Sequence, residues 1–222
     1  MKKIITLLVA LVIIPSMLLA LGINVSWDAN PVADEVAGYR VFYGTAAGVY
    51  GAPIDVGKVL AYDIPNLNEC TRYFVCVKAY DAAGNISLCS TEVSLWLPDR
   101  TAPTGTLAIN AGAASTTKVA VTLNLTASDA CGTITGMRFS NDGVTYNAEI
   151  AYATTYAWTL TSGVGSKIVY AQFKDNSNNW STAIPDSINL VADTTPPTPP
   201  ANVKLTLWEQ IIAWLNRLFR IG

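Results

Sequence analysis

No histidine occurs in the 222 residues. That absence removes the Ser-His-Asp triad, the Cys-His dyad and every His-ligated zinc, haem or copper site in one step. Charge is also scarce. Asp, Glu, Lys and Arg make up 14% of the chain, with 14 basic and 16 acidic side chains and a net charge of −2. Such a balance cannot neutralise a phosphate backbone, so nucleic acid is excluded as a partner. The four cysteines show no Cys-x-x-Cys spacing, which argues against a structural metal. What remains is 51% apolar and rich in Thr, Ser, Val and Tyr, a composition that favours strands.

The two ends differ from the middle. Met1-Lys2-Lys3 precedes an apolar run from Ile4 to Leu21, broken by Pro15-Ser16, and Ala20 and Gly22 suit the −3 and −1 positions of a signal peptidase. Residues 1–22 are therefore expected to be a cleaved export signal with a mature start at Ile23, cleavage after Ala20 being the variant. The run is about 18 residues, at the lower limit for a span, so an uncleaved anchor is the alternative. Export places the protein outside the cytoplasm, secreted or on the cell surface, in an oxidising environment. Residues 193–202 carry Asp193-Thr-Thr-Pro-Pro-Thr-Pro-Pro200, which reads as a semi-rigid extended spacer.

Residues 203–222 carry the one convincing helix signal of the mature chain. At 100° per residue, Leu207, Trp208, Ile211, Ile212, Trp214, Leu215, Leu218, Phe219 and Ile221 share one half of the wheel. Glu209, Gln210, Ala213, Asn216, Arg217 and Arg220 share the other. Thr206 and Glu209 have capping-box spacing, and Arg217 and Arg220 suit the negative end of the helix dipole. The helix is too short, and too polar on one side, to cross a bilayer. Trp208, Ile211, Ile212, Leu215, Leu218 and Phe219, with Arg217 and Arg220, form the candidate attachment surface, for a membrane interface or a protein partner. Folding back onto the rest of the chain is the bland alternative.

The middle consists of short alternating segments separated by turns. Ile23, Val25 and Trp27 form one inward set, Tyr39, Val41 and Tyr43 another, Tyr73, Val75, Val77 and Ala79 a third, and Val93 and Leu95 close the series. Val25-Ser-Trp-Asp28, Gly38-Tyr-Arg-Val-Phe-Tyr-Gly44, Leu67 six residues before Tyr73, and Val75-x-Val-x-Ala79-Tyr-Asp-x-x-Gly-Asn85 together resemble a fibronectin type III domain of bacterial exported proteins. The resemblance implies that Trp27 fills the core and that Tyr73 is a corner residue whose hydroxyl bonds to backbone. That family has a strand before the tryptophan strand. Here the export signal leaves little room for it, so it is expected to be short or absent, with an exposed sheet edge.

A second series follows. Thr106–Ile109 opens it, Val119, Val121, Leu123 and Leu125 alternate, and Asn141-Asp-Gly143 is a hairpin signal. Met137-Arg-Phe-Ser-Asn-Asp-Gly143, Tyr152-Ala-Thr-Thr155 and Val169-Tyr-x-Gln-Phe-Lys-Asp175 resemble a bacterial immunoglobulin-like domain. Within the chain, Asp81-x-x-Gly84-Asn85-x-Ser87 matches Asp175-x-x-Asn178-Asn179-x-Ser181 at an offset of 94. Gly and Asn both tolerate the left-handed backbone that a tight turn needs. Thr195–Leu205 looks like the opening of a further fibronectin domain, but the helix follows instead.

Cys76 and Cys89 are equidistant from a turn at Ala82–Gly84 and are expected to point outward and form a cross-strand disulfide. Cys70 and Cys131 lie in different domains and are expected to remain thiols, a bridge clamping the domains being the alternative. Asp129, Asp142, Asp175 and Asp186, with Asn141, Asn176 and Asn178, could be imagined as calcium ligands. None has the spacing of a known loop, and turns favour Asp and Asn, so neither metal nor cofactor is expected. No pair among the acids stands out for hydrolysis. Tyr43, Tyr50, Tyr62, Tyr146, Tyr152, Tyr156 and Trp180 lie in or near loops and could offer a sugar-stacking platform, although aromatics in small sandwiches are mostly core or rim.

The expected architecture is all-β: two tandem immunoglobulin-like sandwiches, 23–98 and 104–192, joined by residues 99–103 and followed by the spacer and the helix. The expected function is a non-catalytic, exported interaction or adhesion-type module attached through its helix. A carbohydrate-binding accessory module and a self-assembling structural subunit are the alternatives.

Overall fold

The computed structural model describes residues 8–10, 21–199, 201 and 206–220. Most of the expected export signal lies outside these residues, as do 202–205 and Ile221. The described chain is two β-sandwiches, each with its own core, and one C-terminal helix.

The first sandwich packs a three-stranded sheet on a four-stranded one. Leu8–Ala10 (β1), Ile23–Ser26 (β2) and Ala61–Ile64 (β5) form the smaller sheet, in the order β1-β2-β5. Val36–Gly44 (β3), Ile54–Gly57 (β4), Arg72–Asp81 (β6) and Val93–Trp96 (β7) form the larger, in the order β4-β3-β6-β7. Alternation selects the core: Val25, Val41, Ile64, Val75 and Val77 are all buried, closed at one end by Leu97. Of the two expectations for the first strand, short or absent, it is the short one that holds: β1 has three residues. The apolar leader itself supplies β1, pairing Val9 with Val25 and giving the edge groups of β2 a partner.

Trp27 is buried against the edge of Tyr39, ring centres 5.5 Å apart, with its indole N–H lacking an acceptor. Tyr73 is buried beside it in the same core, and its hydroxyl accepts the Asn68 N–H at 3.0 Å. That bond ties the loop between β5 and β6 to the larger sheet.

The second sandwich contains Thr104–Ile109 (β8), Ser115–Thr116 (β9), Ala120–Ser128 (β10), Ile134–Ser140 (β11), Ile150–Ala151 (β12), Thr155–Thr159 (β13), Gly165–Asp175 (β14) and Ile184–Leu190 (β15). The sheets are β13-β10-β8 and β12-β11-β14-β15-β9. β9 runs parallel to β15 while β8 pairs with β10, so the opening segment of this sandwich is shared between its two sheets. Leu123, Phe139, Val169, Ala171 and Phe173 form the centre of the core, with Tyr156 stacked on Phe139 at 5.1 Å.

Asn141-Asp-Gly143 opens the connection between the antiparallel β11 and β12, but does not close it as a tight two-residue turn. β11 instead continues into a longer loop before β12. Side chains drive the difference. Asp142 accepts the N–H groups of Val144 and Thr145 and the hydroxyl of Ser140, while Asn147 bonds the backbone of Phe139. These bonds compete with ladder pairing and wrap the loop around Asp142.

Two outcomes test these local arguments. Tyr73→Phe removes the acceptor for Asn68 and is expected to cost about 1 kcal/mol, read as a lower urea midpoint at unchanged slope; an unchanged midpoint would show that the corner bond contributes nothing. The Ser140 hydroxyl and the Thr145 and Val144 N–H groups lower the Asp142 carboxyl to about 2. A depressed carboxyl stabilises the fold above its unfolded value of ~4 and loses that contribution as the pH falls. The side-chain carbon of Asp142 should therefore titrate near 2 by NMR, and a midpoint at the unfolded value would count against the wrapped loop.

Candidate functional site

Two places carry side chains that neither core absorbs. The first is the helix Thr206–Leu218 (α1). It follows Asp193–Pro199, which has no strand or helix and is exposed throughout. Every residue described from Leu207 to Arg220 is exposed, so the apolar half of α1 packs on neither sandwich. Leu207, Trp208 and Phe219 are 74%, 64% and 81% exposed, and Ile211, Ile212, Trp214, Leu215 and Leu218 complete a bare apolar arc of roughly 160°. Arg217 and Arg220 stand on the opposite side, with Glu209 in the first turn. No helix among the described residues is long and apolar enough to cross a membrane.

The second place is the junction between the sandwiches. Cys70, in the loop before β6, is bonded to Cys131, in the loop after β10, with Cα atoms 5.8 Å apart. The expected free thiols are thus a clamp between domains. The reason is geometric: each cysteine sits in an end loop, and the connection from Leu97 to Thr104 is short enough to bring those ends face to face. The backbone there is satisfied across the join. Glu69 accepts the Arg100 N–H at 2.8 Å and the Thr101 hydroxyl. The amide of Asn179 reaches the Thr101 carbonyl at 3.3 Å.

Cys76 and Cys89 are joined as well, with Cα atoms 5.7 Å apart. Their surroundings differ from a regular exposed hairpin. Five positions separate Val75 from Tyr80, yet seven separate their partners Ile86 and Val93, so the strand carrying Cys89 bulges. Cys76 is fully buried rather than outward in solvent.

The imagined calcium ligands scatter. Asp142 serves its loop, and Asp186 accepts the Ile109 N–H at 2.7 Å. Asp129 and Asp175 do meet, joined by Asp99 of the linker, which no sequence pattern singled out. The aromatics do not share one platform. Tyr43, Tyr62, Tyr152 and Tyr156 pack on the cores. The Tyr50 hydroxyl is committed to Glu92, and burial together with that bond raises its pKa to about 12. Tyr146 and Trp180 hold Arg138 over their rings at 4.8 and 4.3 Å.

No family model and no curated protein matches the chain. Among solved structures it is similar to the fibronectin(III)-like modules of Clostridium thermocellum CbhA, at 17% identity over 82% of this chain and 92% of that one, with a TM-score of 0.37. Both halves are immunoglobulin-like by their own sheet order.

The pairing of cysteines is directly checkable. Digestion of the unreduced protein should release one peptide pair linking Cys70 to Cys131 and a second linking Cys76 to Cys89, with no thiol open to alkylation after denaturation. A free thiol, or any crossed pair, would contradict the clamp.

Proposed function

We propose that this chain is an exported, non-catalytic interaction module. Its two clamped sandwiches act as a rigid display unit, and α1 attaches that unit to a lipid–water interface. The observation that carries this reading is the bare apolar face of α1 beyond an exposed, proline-rich spacer. An amphipathic helix with tryptophans on its apolar side and arginines on the other suits the boundary of a bilayer, where indole rings sit at headgroup depth. The helix bears Glu209 and Arg217, with Arg220 just beyond its end, so apolar burial would dominate and anionic lipid would add little. The absence of histidine, and the commitment of the candidate aromatics to cores and ion contacts, support a role other than catalysis or sugar stacking.

Export through residues 1–22 belongs to the same reading, and two disulfides suit the oxidising compartment it implies. The test uses vesicles of phosphatidylcholine with a minor share of phosphatidylglycerol. The full chain should co-sediment with them and shift its tryptophan emission to the blue. A chain lacking 203–222 should stay in the supernatant while keeping the melting behaviour of the sandwiches. Full-length protein that ignores vesicles, or a deletion that still co-sediments, would overturn attachment by the helix. Capture of α1 by a protein groove without vesicle binding would overturn the lipid interface in favour of a partner.

A further inference from the structure

Three carboxylates from three separate segments converge at the domain junction. Asp99 comes from the linker, Asp129 from the loop after β10, and Asp175 from the last residue of β14. One oxygen of each lies within 4.8 Å of the other two. Asp99 is 7% exposed and Asp175 fully buried. Two oxygens of the group are bare: Oδ2 of Asp99 and Oδ2 of Asp129 are both shut off from solvent and accept no hydrogen bond.

The remaining oxygens explain the geometry without relieving it. Asp99 Oδ1 accepts the Thr101 N–H at 2.9 Å, and Asp129 Oδ1 accepts the Cys131 N–H at 2.8 Å. Each bond fixes a tight local turn and leaves the other oxygen buried without a partner. Asp175 accepts from the backbone of Ser177 and Asn179 and from the Asn179 amide. The two ion pairs among the described residues are Arg40–Asp55 and Lys174–Glu149, so no basic side chain neutralises the group. A buried carboxylate without a counter-charge is costly, and neighbouring like charges raise that cost. A bound cation relieves such an arrangement.

We propose that the junction is a divalent-cation site for calcium, held by Asp99, Asp129 and Asp175. The donors are hard oxygens, and calcium accepts six to eight of them, carboxylate, carbonyl and water, in flexible geometry. A soft metal finds no thiolate there, because Cys70 and Cys131 are bonded to each other. The ligands come from the linker, from one loop and from the end of β14 in the second sandwich, so an ion binds only the folded junction and stabilises it by mass action. The first sandwich supplies an internal control. Its Asp81 makes the same turn bonds, to Asn85 N–H and amide, but is half-buried with no carboxylate cluster around it.

The test is titration of the oxidised, chelator-stripped full chain with calcium chloride at neutral pH. Calorimetry should give one ion per chain. Saturating calcium should raise the melting temperature by about 5 °C or more, and magnesium at the same concentration should do less. Asp129→Asn should weaken calcium binding at least tenfold while melting no lower than the parent in chelator, since it removes a like charge. Asp81→Asn should leave the calcium response unchanged. Asp99→Asn serves the same purpose if the Asp129 variant fails to fold. Absence of heat and of a melting shift at millimolar calcium would overturn the proposal. So would an undiminished response in both ligand variants, or an equal response to magnesium.

Discussion

The shortness of the connection between the two cores governs the middle of the molecule. Leu97 is fully buried in the first core, Leu107 already belongs to the second, and the linker residue Asp99 is itself buried. With so little chain between them, the loop carrying Cys70 and the loop carrying Cys131 must face each other. Backbone groups caught there lose water and need protein partners. Glu69 and Asn179 provide them from either side of the join. The disulfide then closes a loop of chain that runs through both domains, which restricts the unfolded ensemble as well as the folded one. The same crowding is what withdraws Asp99 and Asp175 from solvent.

The repeated turn shows how context changes what one motif means. Gly84 and Asn178 both adopt left-handed backbone, with φ of 87° and 72°. Ser87 and Ser181 both accept a strand N–H, from Ala79 at 3.0 Å and Phe173 at 2.9 Å. The aspartates bond the asparagines in the same way in both copies. Local chemistry is therefore conserved between the halves of one chain to the level of individual hydrogen bonds. Only position differs. The first copy stands at a free end of its sandwich, and the second stands at the join, where its carboxylate meets two others. A motif that is purely structural in one place becomes a potential ligand in the other without any change in its own geometry.

That contrast also explains what could be read from the sequence. Alternation along Tyr73–Ala79 and Val121–Leu125 is a local signal, and it identifies strands and core faces because side chains on a strand must alternate. The turns were legible for the same reason, since Asp, Gly and Asn act within a few residues. The place of the short first strand was not, because an apolar run behind a basic start reads as an export signal whether or not part of it pairs with β2. The Asn141-Asp-Gly143 loop misled because Ser140 and Asn147, outside the dipeptide signal, decide its course. The Cys70–Cys131 bridge and the place of Asp99 depend on how two domains abut. No spacing in one dimension encodes that.

The sandwiches and the helix are in different physical positions. Each sandwich buries a core of its own. The helix α1 has 13 residues, a length at which an isolated helix in water is marginal. Its apolar arc gains nothing from either sandwich, so the surface that would attach the protein is also the surface whose burial would hold the helix together. Attachment and helix stability are then one equilibrium. The spacer strengthens the argument. Proline-rich chain stays extended and keeps α1 away from the sandwiches, so little competes with an outside surface for the helix. Under the proposed reading, the clamped junction would transmit position along the sandwiches, and α1 would be both the point of attachment and the element that attachment completes.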